Sequence, residues 1–378
     1  MRKIAIINQK GGVGKTTSSV NLGAALAEQG RRVVVVDLDP QANLTLHLGI
    51  EPATRAPSTY TVLGGSTTVA ESLQDTKEAG LRALPSNIDL SGAELELASA
   101  IGRDNLLSDA IEAWVAEHAE EHGGEPADYV IFDCPPSLGL LSVNALAAAN
   151  EVIITVQTEF LALMGMSKLV EIVQLIQRRL NPGLKITGIA PCLYDSRLRL
   201  AREVLGEIRK YFPGQVFGTP VRSNVKLAEA PSFGTSIIDY APESNGARDY
   251  RRLALEVIAQ EQAHPELAGL PAPRPLAELP LTRPGEPDPG GPFATPRGGA
   301  RPEVDRAPEP TREAQPAAAG PARAEEPAPP AAEPEVTLAP HGPPAPSRRH
   351  RDAVEEELQV MRAQDLPPLP PEAFQVDS

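Results

Sequence analysis

The chain has 378 residues, 40 prolines and a formal net charge of −15, and about two-thirds of the prolines lie after position 264. Its two cysteines, Cys134 and Cys192, belong to no Cys-x-x-Cys or Cys/His cluster. This pattern argues against structural zinc and iron–sulfur sites and is typical of a reducing cytoplasm. No stretch approaches the roughly 20 apolar residues that span a bilayer, and residues 1–3 lead into a strand-sized run, unlike a signal peptide. We therefore expect a cytoplasmic protein.

The first predicted elements enclose a glycine-rich loop. An apolar strand at residues 4–7 precedes Lys10-Gly11-Gly12-Val13-Gly14-Lys15-Thr16-Thr17, and a helix is predicted at residues 18–29. Glycines let the loop curl with its N–H groups inward, and the helix directs its positive end at the same place. Lys15 can then reach the outer phosphates of a nucleotide, and the Thr16 hydroxyl can bind Mg²⁺. A glycine-rich turn with an unrelated lysine is the alternative, but it accounts for neither the flanking elements nor the Lys-Thr pair.

Lys10 stands too early in this loop to duplicate the role of Lys15. A phosphate loop needs one lysine. We therefore interpret Lys10 as a residue that serves another nucleotide, held by a partner subunit.

The rest of the body alternates strands with helices. Continuous β-branched runs are typical of strands buried on both faces; they lie at residues 32–37, 129–133 and 152–156, with weaker candidates at 185–190 and 236–239. Helices are predicted at 105–121, 142–149, 165–180, 198–212 and 247–261, and the Thr-rich segment 52–68 is expected to be a surface loop. This order predicts an α/β fold with a doubly wound, mostly parallel sheet flanked by helices.

Acidic residues end two of the predicted strands. One strand runs into Asp37-Leu38-Asp39, and another ends at Asp133. Ligands of open parallel sheets bind beyond the carboxyl ends of strands. Asp37 and Asp39 share a face if their strand continues, and Asp133 has the position of an acid that holds Mg²⁺ through water. A helix cap or turn residue is the alternative for each acid, and the phosphate loop nearby favours the functional interpretation.

Basic residues concentrate between positions 178 and 226, where ten Lys/Arg stand against three Asp/Glu. In the predicted helix at 198–212 the apolar residues share one stripe and the basic residues lie on the adjoining face. A solvated helix face is one interpretation, and a sequence-independent site for DNA phosphates is the other. The candidate contacts, called the basic surface below, are Arg197, Arg199, Arg202, Arg222 and Lys226.

Four segments resemble the ParA/Soj family of partitioning ATPases, part of the ParA/MinD group with its deviant Walker A loop. They read K-G-G-V-G-K-T-T, D-L-D-P-Q-A-N, D-C-P-P-S-L and N-V-K-L-A-E-A-P-S-F-G, and the resemblance spans residues 2 to about 260. It implies that Lys10 reaches across a dimer interface to the partner's nucleotide and that Asp39 positions the attacking water. It also implies that Asp133 serves Mg²⁺, that Asn224 lies near the adenine base and that the family's DNA-contacting arginine aligns with Ser223, beside Arg222.

The resemblance therefore implies an ATPase in which Lys10, Lys15 and Asp39 act in catalysis and residues 10–17 with Asn224 bind the nucleotide. The cofactors expected are ATP and Mg²⁺, the latter held by Thr16 and, through water, Asp133; the chain lacks the Asn-Lys-x-Asp element typical of guanine-specific loops. The expected partners are a second copy in an ATP-dependent homodimer, non-specific double-stranded DNA of the nucleoid and a centromere-binding ParB/Spo0J-like stimulator. A positioning ATPase for non-DNA cargo and a phosphotransferase or ligase remain alternatives.

The domain prediction divides the chain at position 263. Residues 1–263 are expected to form the ATPase domain, and residues 264–378 a disordered Pro/Ala-rich acidic tail that cannot bury enough apolar surface to fold. A short helix is predicted at 351–363, either docking to a partner or solvated. We expect no membrane binding, because its acidic residues repel anionic lipid.

Overall fold

The computed structural model describes residues 1–159, 162–265 and 270, apart from the side chains of residues 163 and 164. Seven strands form one sheet in the order β3-β4-β2-β5-β1-β6-β7, parallel except for β3, which runs antiparallel to β4. The strands are β1 (Arg2–Ile7), β2 (Val33–Asp37), β3 (Gln74–Asp75), β4 (Leu81–Leu84), β5 (Tyr129–Asp133), β6 (Glu151–Gln157) and β7 (Lys185–Cys192). The predicted fold class is confirmed.

Twelve α-helices lie within the described residues, with short 3₁₀ turns at Leu97–Ser99, Ala230–Phe233 and Gln260–Ala263. No helix of this part of the chain is long and apolar enough to cross a bilayer. The helices are α1 (Lys15–Glu28), α2 (Asn43–His47), α3 (Thr59–Leu63), α4 (Val69–Ser72), α5 (Leu90–Glu96), α6 (Leu106–His122), α7 (Leu140–Ala148), α8 (Ala162–Arg179), α9 (Arg199–Tyr211), α10 (Val225–Glu229), α11 (Ile237–Tyr240) and α12 (Asn245–Ala259).

The central strands are buried on both faces, as their β-branched runs predict. Every residue of β2 and β5 is buried. Alternate positions such as Ile4, Val35 and Ile131 share one apolar cluster with residues of α1 and α12, so the remaining positions face the opposite layer. This packing leaves the carboxyl edge of the sheet as the place where ligands can approach.

Two sequence predictions are wrong. Residues 236–239 are not a strand: Ser236 caps α11 by accepting a hydrogen bond from the Asp239 N–H, and Asn21 Oδ1 accepts the Ile237 N–H at 2.6 Å. Segment 52–68 is more than a surface loop, because it contains α3 with Thr59 fully buried. The Thr59 hydroxyl donates to the Asp37 carbonyl at 2.8 Å and so fixes this segment against the end of β2.

A buried ion pair lies at the amino edge of the sheet, opposite the ligand-binding edge. Both charged ends are almost wholly buried: Arg2 donates through Nε and Nη2 to the two Glu151 carboxylate oxygens, each at 2.6 Å. Its Nη1 donates to the Val257 carbonyl at 2.6 Å. Arg2 therefore ties β1 and β6 to the end of α12.

The tail predicted for residues 264–378 lies, except for residues 264, 265 and 270, outside the described residues.

Candidate nucleotide site and basic surface

The glycine-rich loop joins β1 to α1 at the carboxyl edge of the sheet. Gly12 and Gly14 have φ values of 72° and 88°, which favour glycine. Gly14 also occupies the N-cap position of α1, where it offers no side-chain acceptor to the first-turn N–H groups. These N–H groups and the positive end of the helix can therefore bind an anion.

Lys15 is the first residue of α1, and its side chain folds back into the glycine-rich loop. Its side chain is buried, and its Nζ donates to the Lys10 carbonyl at 3.4 Å. Burial lowers the pKa of the Lys15 ammonium, and the carboxyl groups of Asp133 and Asp39 oppose this change. The fold thus places the two acids singled out from the sequence within electrostatic reach of the loop lysine.

Lys10 points away from the interior of its own loop. Its Nζ donates to Glu159 Oε2 at 2.5 Å and to Gln157 Oε1 at 3.2 Å, and 55% of the side chain is exposed. A pocket of about 410 Å³ opens beside it, lined by Asn8, Lys10, Val13, Val156, Gln157, Glu159, Ala162 and Gly165. Lys10 and Lys15 therefore occupy different environments, and the Lys10 ammonium is accessible from outside the chain.

Asp37 and Asp39 do not share a strand face, because β2 ends at Asp37 and the chain turns. Asp37 is fully buried: its Oδ2 accepts hydrogen bonds from the Thr45 N–H at 2.9 Å and hydroxyl at 2.7 Å, and its Oδ1 accepts the Asp39 N–H at 3.1 Å. Burial raises the pKa of Asp37 to about 6. Asp37 thus supports the turn that presents Asp39. Asp39 is half-buried and accepts the Gln41 N–H through Oδ1 at 2.9 Å.

Asp133 is fully buried at the end of β5, and its Oδ1 accepts a hydrogen bond from the Ser19 hydroxyl at 2.9 Å. Burial raises the pKa of Asp133 to about 7, with a further increase from the charge of Asp37, while the Thr16 and Ser19 hydroxyls act against it. Its Oδ2 has no hydrogen-bond partner among the described residues. A buried acceptor of this kind needs a donor or a cation with its waters, so the site fits Mg²⁺.

Within the described residues no cluster of three His, Cys, Asp or Glu side chains is placed to hold a metal. Mg²⁺ keeps several waters and uses few carboxylates beside nucleotide phosphates. Thr16 and Asp133 are the residues that would provide this arrangement.

Asn224 has a local structural role that the sequence analysis missed. It is the N-cap of α10, and its Oδ1 accepts the Lys226 N–H at 2.8 Å. An Asn before a short helix was the available signal. The position of the adenine base beside Asn224 stays a prediction.

The basic surface is assembled from two segments that pair with each other. Tyr194 donates its N–H to the Val221 carbonyl at 3.0 Å, and Ser223 donates to the Tyr194 carbonyl at 3.1 Å. These bonds join the loop before α9 to the loop before α10. Arg197, Arg199 and Arg202 thus lie on one segment, and Arg222 and Lys226 on its neighbour. Each of them has an acceptor within the chain, which the sequence analysis did not foresee.

Comparison with known proteins relates the described body to bacterial partitioning proteins. A family model described as an AAA domain matches residues 1–186. The sporulation initiation inhibitor protein Soj of Bacillus subtilis is 47% identical over 256 residues, which cover 68% of this chain and 98% of that protein. The chromosome partitioning protein ParA of Caulobacter vibrioides is 41% identical over 262 residues, covering 69% and 96%.

Solved structures give the same fold. Cobyrinic acid a,c-diamide synthase from Mycobacterium smegmatis with bound ADP and magnesium is 38% identical, with a TM-score of 0.59 over 70% of this chain and 96% of that one. The septum site-determining protein MinD from Pyrococcus horikoshii, complexed with Mg-ADP, is 26% identical, with a TM-score of 0.54 over 70% and 98%. On its identity to Soj and ParA over nearly their whole lengths, the chain belongs to the Soj/ParA family of chromosome-partitioning ATPases.

Proposed function

We propose that this chain is an ATP-dependent partitioning switch: ATP binding makes it dimerise, the dimer binds nucleoid DNA without sequence preference, and partner-stimulated hydrolysis releases it. The observation that carries the proposal is the buried Lys15 in a glycine-rich loop beside Asp133, in a chain of the Soj/ParA family. In this proposal residues 1–263 form the ATPase domain, and residues 264–378 are a tail outside it.

ATP and Mg²⁺ are the ligands of the site. The loop N–H groups and Lys15 would hold the phosphates, and Thr16 and Asp133, the latter through water, would hold Mg²⁺. Bound there, Mg²⁺ neutralises charge on the phosphates. The solved structures that hold ADP with magnesium support this assignment. Asn224 would lie near the base.

Asp39 would orient the water that attacks the terminal phosphate, and its turn is supported by Asp37. Lys10 would reach the nucleotide of a second copy. Its half-exposed ammonium, bound to Glu159 and not directed into its own loop, supports a role outside its own nucleotide site. Catalysis would then require the dimer, which makes ATP binding and hydrolysis a switch between two assembly states.

The basic surface would bind duplex phosphates, and dimerisation would place two copies of it on one DNA molecule. Two linked weak contacts bind far more tightly than one, and their phosphate contacts make binding salt-dependent. A ParB/Spo0J-like protein bound to a centromere would stimulate hydrolysis and release. The exposure of Arg197 and Arg199 supports the contact with DNA, and a 41% identical relative named as a chromosome partitioning protein supports a role in partitioning.

The decisive experiment measures phosphate release by the full chain with ATP alone, with duplex DNA, and with DNA plus a ParB/Spo0J-like partner. Slow turnover that rises with DNA and partner, together with DNA binding that requires ATP, is the expected result. DNA binding that is indifferent to the nucleotide would count against a switch. A positioning ATPase for other cargo would share the ATP and DNA responses and lack the response to a centromere-bound partner.

A second candidate is an ATP-dependent ligase, because a solved structure 38% identical to this chain is named as a synthase. A ligase consumes ATP when its acid substrate is present. ATP turnover without such a substrate, accelerated by duplex DNA, would therefore separate the partitioning ATPase from the ligase.

A further inference from the structure

Four of the five residues of the basic surface pair with acidic side chains of the same chain, which would compete with DNA phosphates for them. Arg197 pairs with Asp195 at 2.7 Å, Arg199 with Glu203 at 2.6 Å, Arg222 with Asp249 at 2.7 Å and Lys226 with Glu229 at 2.7 Å. A DNA phosphate that binds one of these side chains must share it with, or take it from, a carboxylate of the same chain. The geometry of each pair decides how strongly that carboxylate competes.

Asp195 accepts four hydrogen bonds from Arg197, more than a surface acid typically accepts from one arginine. The Arg197 N–H donates to Asp195 Oδ1 at 3.0 Å, Nε donates to Oδ1 and Oδ2 at 2.9 and 3.2 Å, and Nη2 donates to Oδ2 at 2.7 Å. The arginine side chain is 87% exposed and the aspartate only 24%. These hydrogen bonds hold the pKa of Asp195 at about 2, so its carboxylate is charged at neutral pH.

The backbone keeps Asp195 in place. The Leu198 N–H donates to the Asp195 carbonyl at 3.1 Å, and the preceding residue, Tyr194, is bonded to Val221 and Ser223. The carboxylate is therefore a short side chain on a pinned loop, directly beneath an outward-facing guanidinium. These backbone hydrogen bonds hold the loop that carries the carboxylate next to Arg197.

Two of the other acids, Glu203 and Asp249, differ from Asp195. Glu203 pairs with Arg199 at 2.6 Å across a helical turn, and both side chains are more than half exposed; such pairs are weak and easily displaced. The side chain of Asp249 is 3% exposed and anchors Arg222, a structural pair that cannot be removed without leaving a buried group unpaired. Asp195 combines a fixed charge with a position where its removal disturbs no core.

We propose that Asp195 sets the affinity of the basic surface for duplex DNA by competing with backbone phosphates for Arg197. This rests on the proposed function, because it takes DNA as the ligand. With Arg197 partly neutralised, one surface binds weakly, and binding requires the two surfaces of an ATP-bound dimer. Asp195 therefore weakens each single surface about threefold, which adds to the dependence of DNA attachment on the ATP-bound dimer.

Asp195→Asn tests this, because asparagine retains the Oδ1 acceptor for the Arg197 N–H and removes the charge. A unit charge about 7 Å from a phosphate in water changes binding about threefold, and two such sites in a dimer change it about tenfold. We expect the full chain with ATP to bind a mixed-sequence duplex about three- to tenfold more tightly, measured by fluorescence anisotropy, with a gain that shrinks as salt rises.

The charge-matched control is Asp75→Asn. Asp75 lies on β3, at the sheet edge opposite β7, and its carboxylate pairs with Arg82 at 3.0 Å. The Asp75→Asn substitution should therefore leave the affinity for DNA unchanged. An unchanged affinity in Asp195→Asn, or an equal gain in Asp75→Asn, would overturn the proposal. Basal ATP turnover without DNA should match the parent in both variants.

A double-mutant cycle separates competition for Arg197 from general repulsion. In an Arg197→Ala background the gain from Asp195→Asn should be clearly smaller than in the parent, because only the direct charge effect on the phosphate remains; an undiminished gain there would show that Asp195 only repels DNA and would overturn the proposal. If the parent binds DNA with ATP and Asp195→Asn does not differ from it, this inference alone fails. If neither binds duplex DNA with ATP, the proposed function fails as well.

Discussion

Asp37 and Asp133 are register partners at the carboxyl ends of the neighbouring strands β2 and β5, and both side chains are fully buried. Asp37 accepts three hydrogen bonds, from Thr45 and Asp39, whereas Asp133 Oδ2 has no partner among the described residues. Two adjacent acids thus differ in what they can still bind. Asp37 supports the Asp39 turn, and Asp133 remains open to the water shell of a cation.

Lys15→Ala should abolish ATP binding, because it removes the main positive charge within the phosphate loop. Calorimetric titration with Mg-ATP measures this directly, and Lys185→Ala, an exposed lysine at the start of β7, is the control. A Lys15→Ala protein that binds Mg-ATP with parental affinity would show that the loop is not the phosphate site.

Lys10→Ala should keep ATP binding and lose both ATP-dependent dimerisation and most hydrolysis. The reason is that its ammonium is directed to Glu159 and the exterior, not to its own loop. Light scattering reports dimerisation, and phosphate release reports turnover. Parental values in both measurements would contradict the proposed role across the interface.

Asp39→Ala should retain Mg-ATP and lose hydrolysis by a factor on the order of a hundred or more, the usual scale for a lost base or transition-state stabiliser. The variant should then remain on DNA as an ATP dimer, since release depends on hydrolysis. The measurement is DNA dissociation after ATP loading and washout, with the partner present. Dissociation as fast as that of the parent argues against the switch, and loss of ATP binding would make Asp39 a structural or magnesium residue.

Arg2→Ala should destabilise the body by about 3–5 kcal/mol, because it removes the arginine partner of the buried Glu151 carboxylate. Lys210→Ala is the control: Lys210 pairs with Glu207 on the surface of α9, with 73% of its side chain exposed, and exposed pairs contribute at most about 1 kcal/mol. Urea denaturation followed by circular dichroism measures both. Equal stabilities would show that the Arg2 network does not hold the amino edge together.

Deletion of residues 265–378 should leave a folded body that binds ATP and DNA, because a proline-rich segment of low hydrophobicity adds nothing to a core. The melting temperature should stay within about 3 °C of the full chain, which corresponds to roughly 1 kcal/mol for a domain of this size. A larger loss would place part of the tail inside the folded domain.

The sequence alone was sufficient where the physical signal is local. The β-branched runs at 32–37 and 129–133 predict buried strands because a strand covered on both faces has few positions for polar side chains. The loop at 10–17 is recognisable because positive φ at Gly12 and Gly14 requires glycine in the sequence itself. These elements, in their order, were enough for the fold class and for the position of the glycine-rich loop between β1 and α1.

Only the tertiary structure decided features that depend on distant partners. The α11 helix replaces a predicted strand because Ser236 caps it and Asn21, more than two hundred positions away, accepts the Ile237 N–H. The short strand β4, absent from the sequence predictions, exists through its pairing with β2. The distinction between Asp37 and Asp133 and the position of Asp195 beneath Arg197 likewise follow from the hydrogen bonds and burial that each acid acquires in the fold. Residue type and spacing specify which groups are present, whereas their neighbours in space determine which of them remain free to bind a ligand.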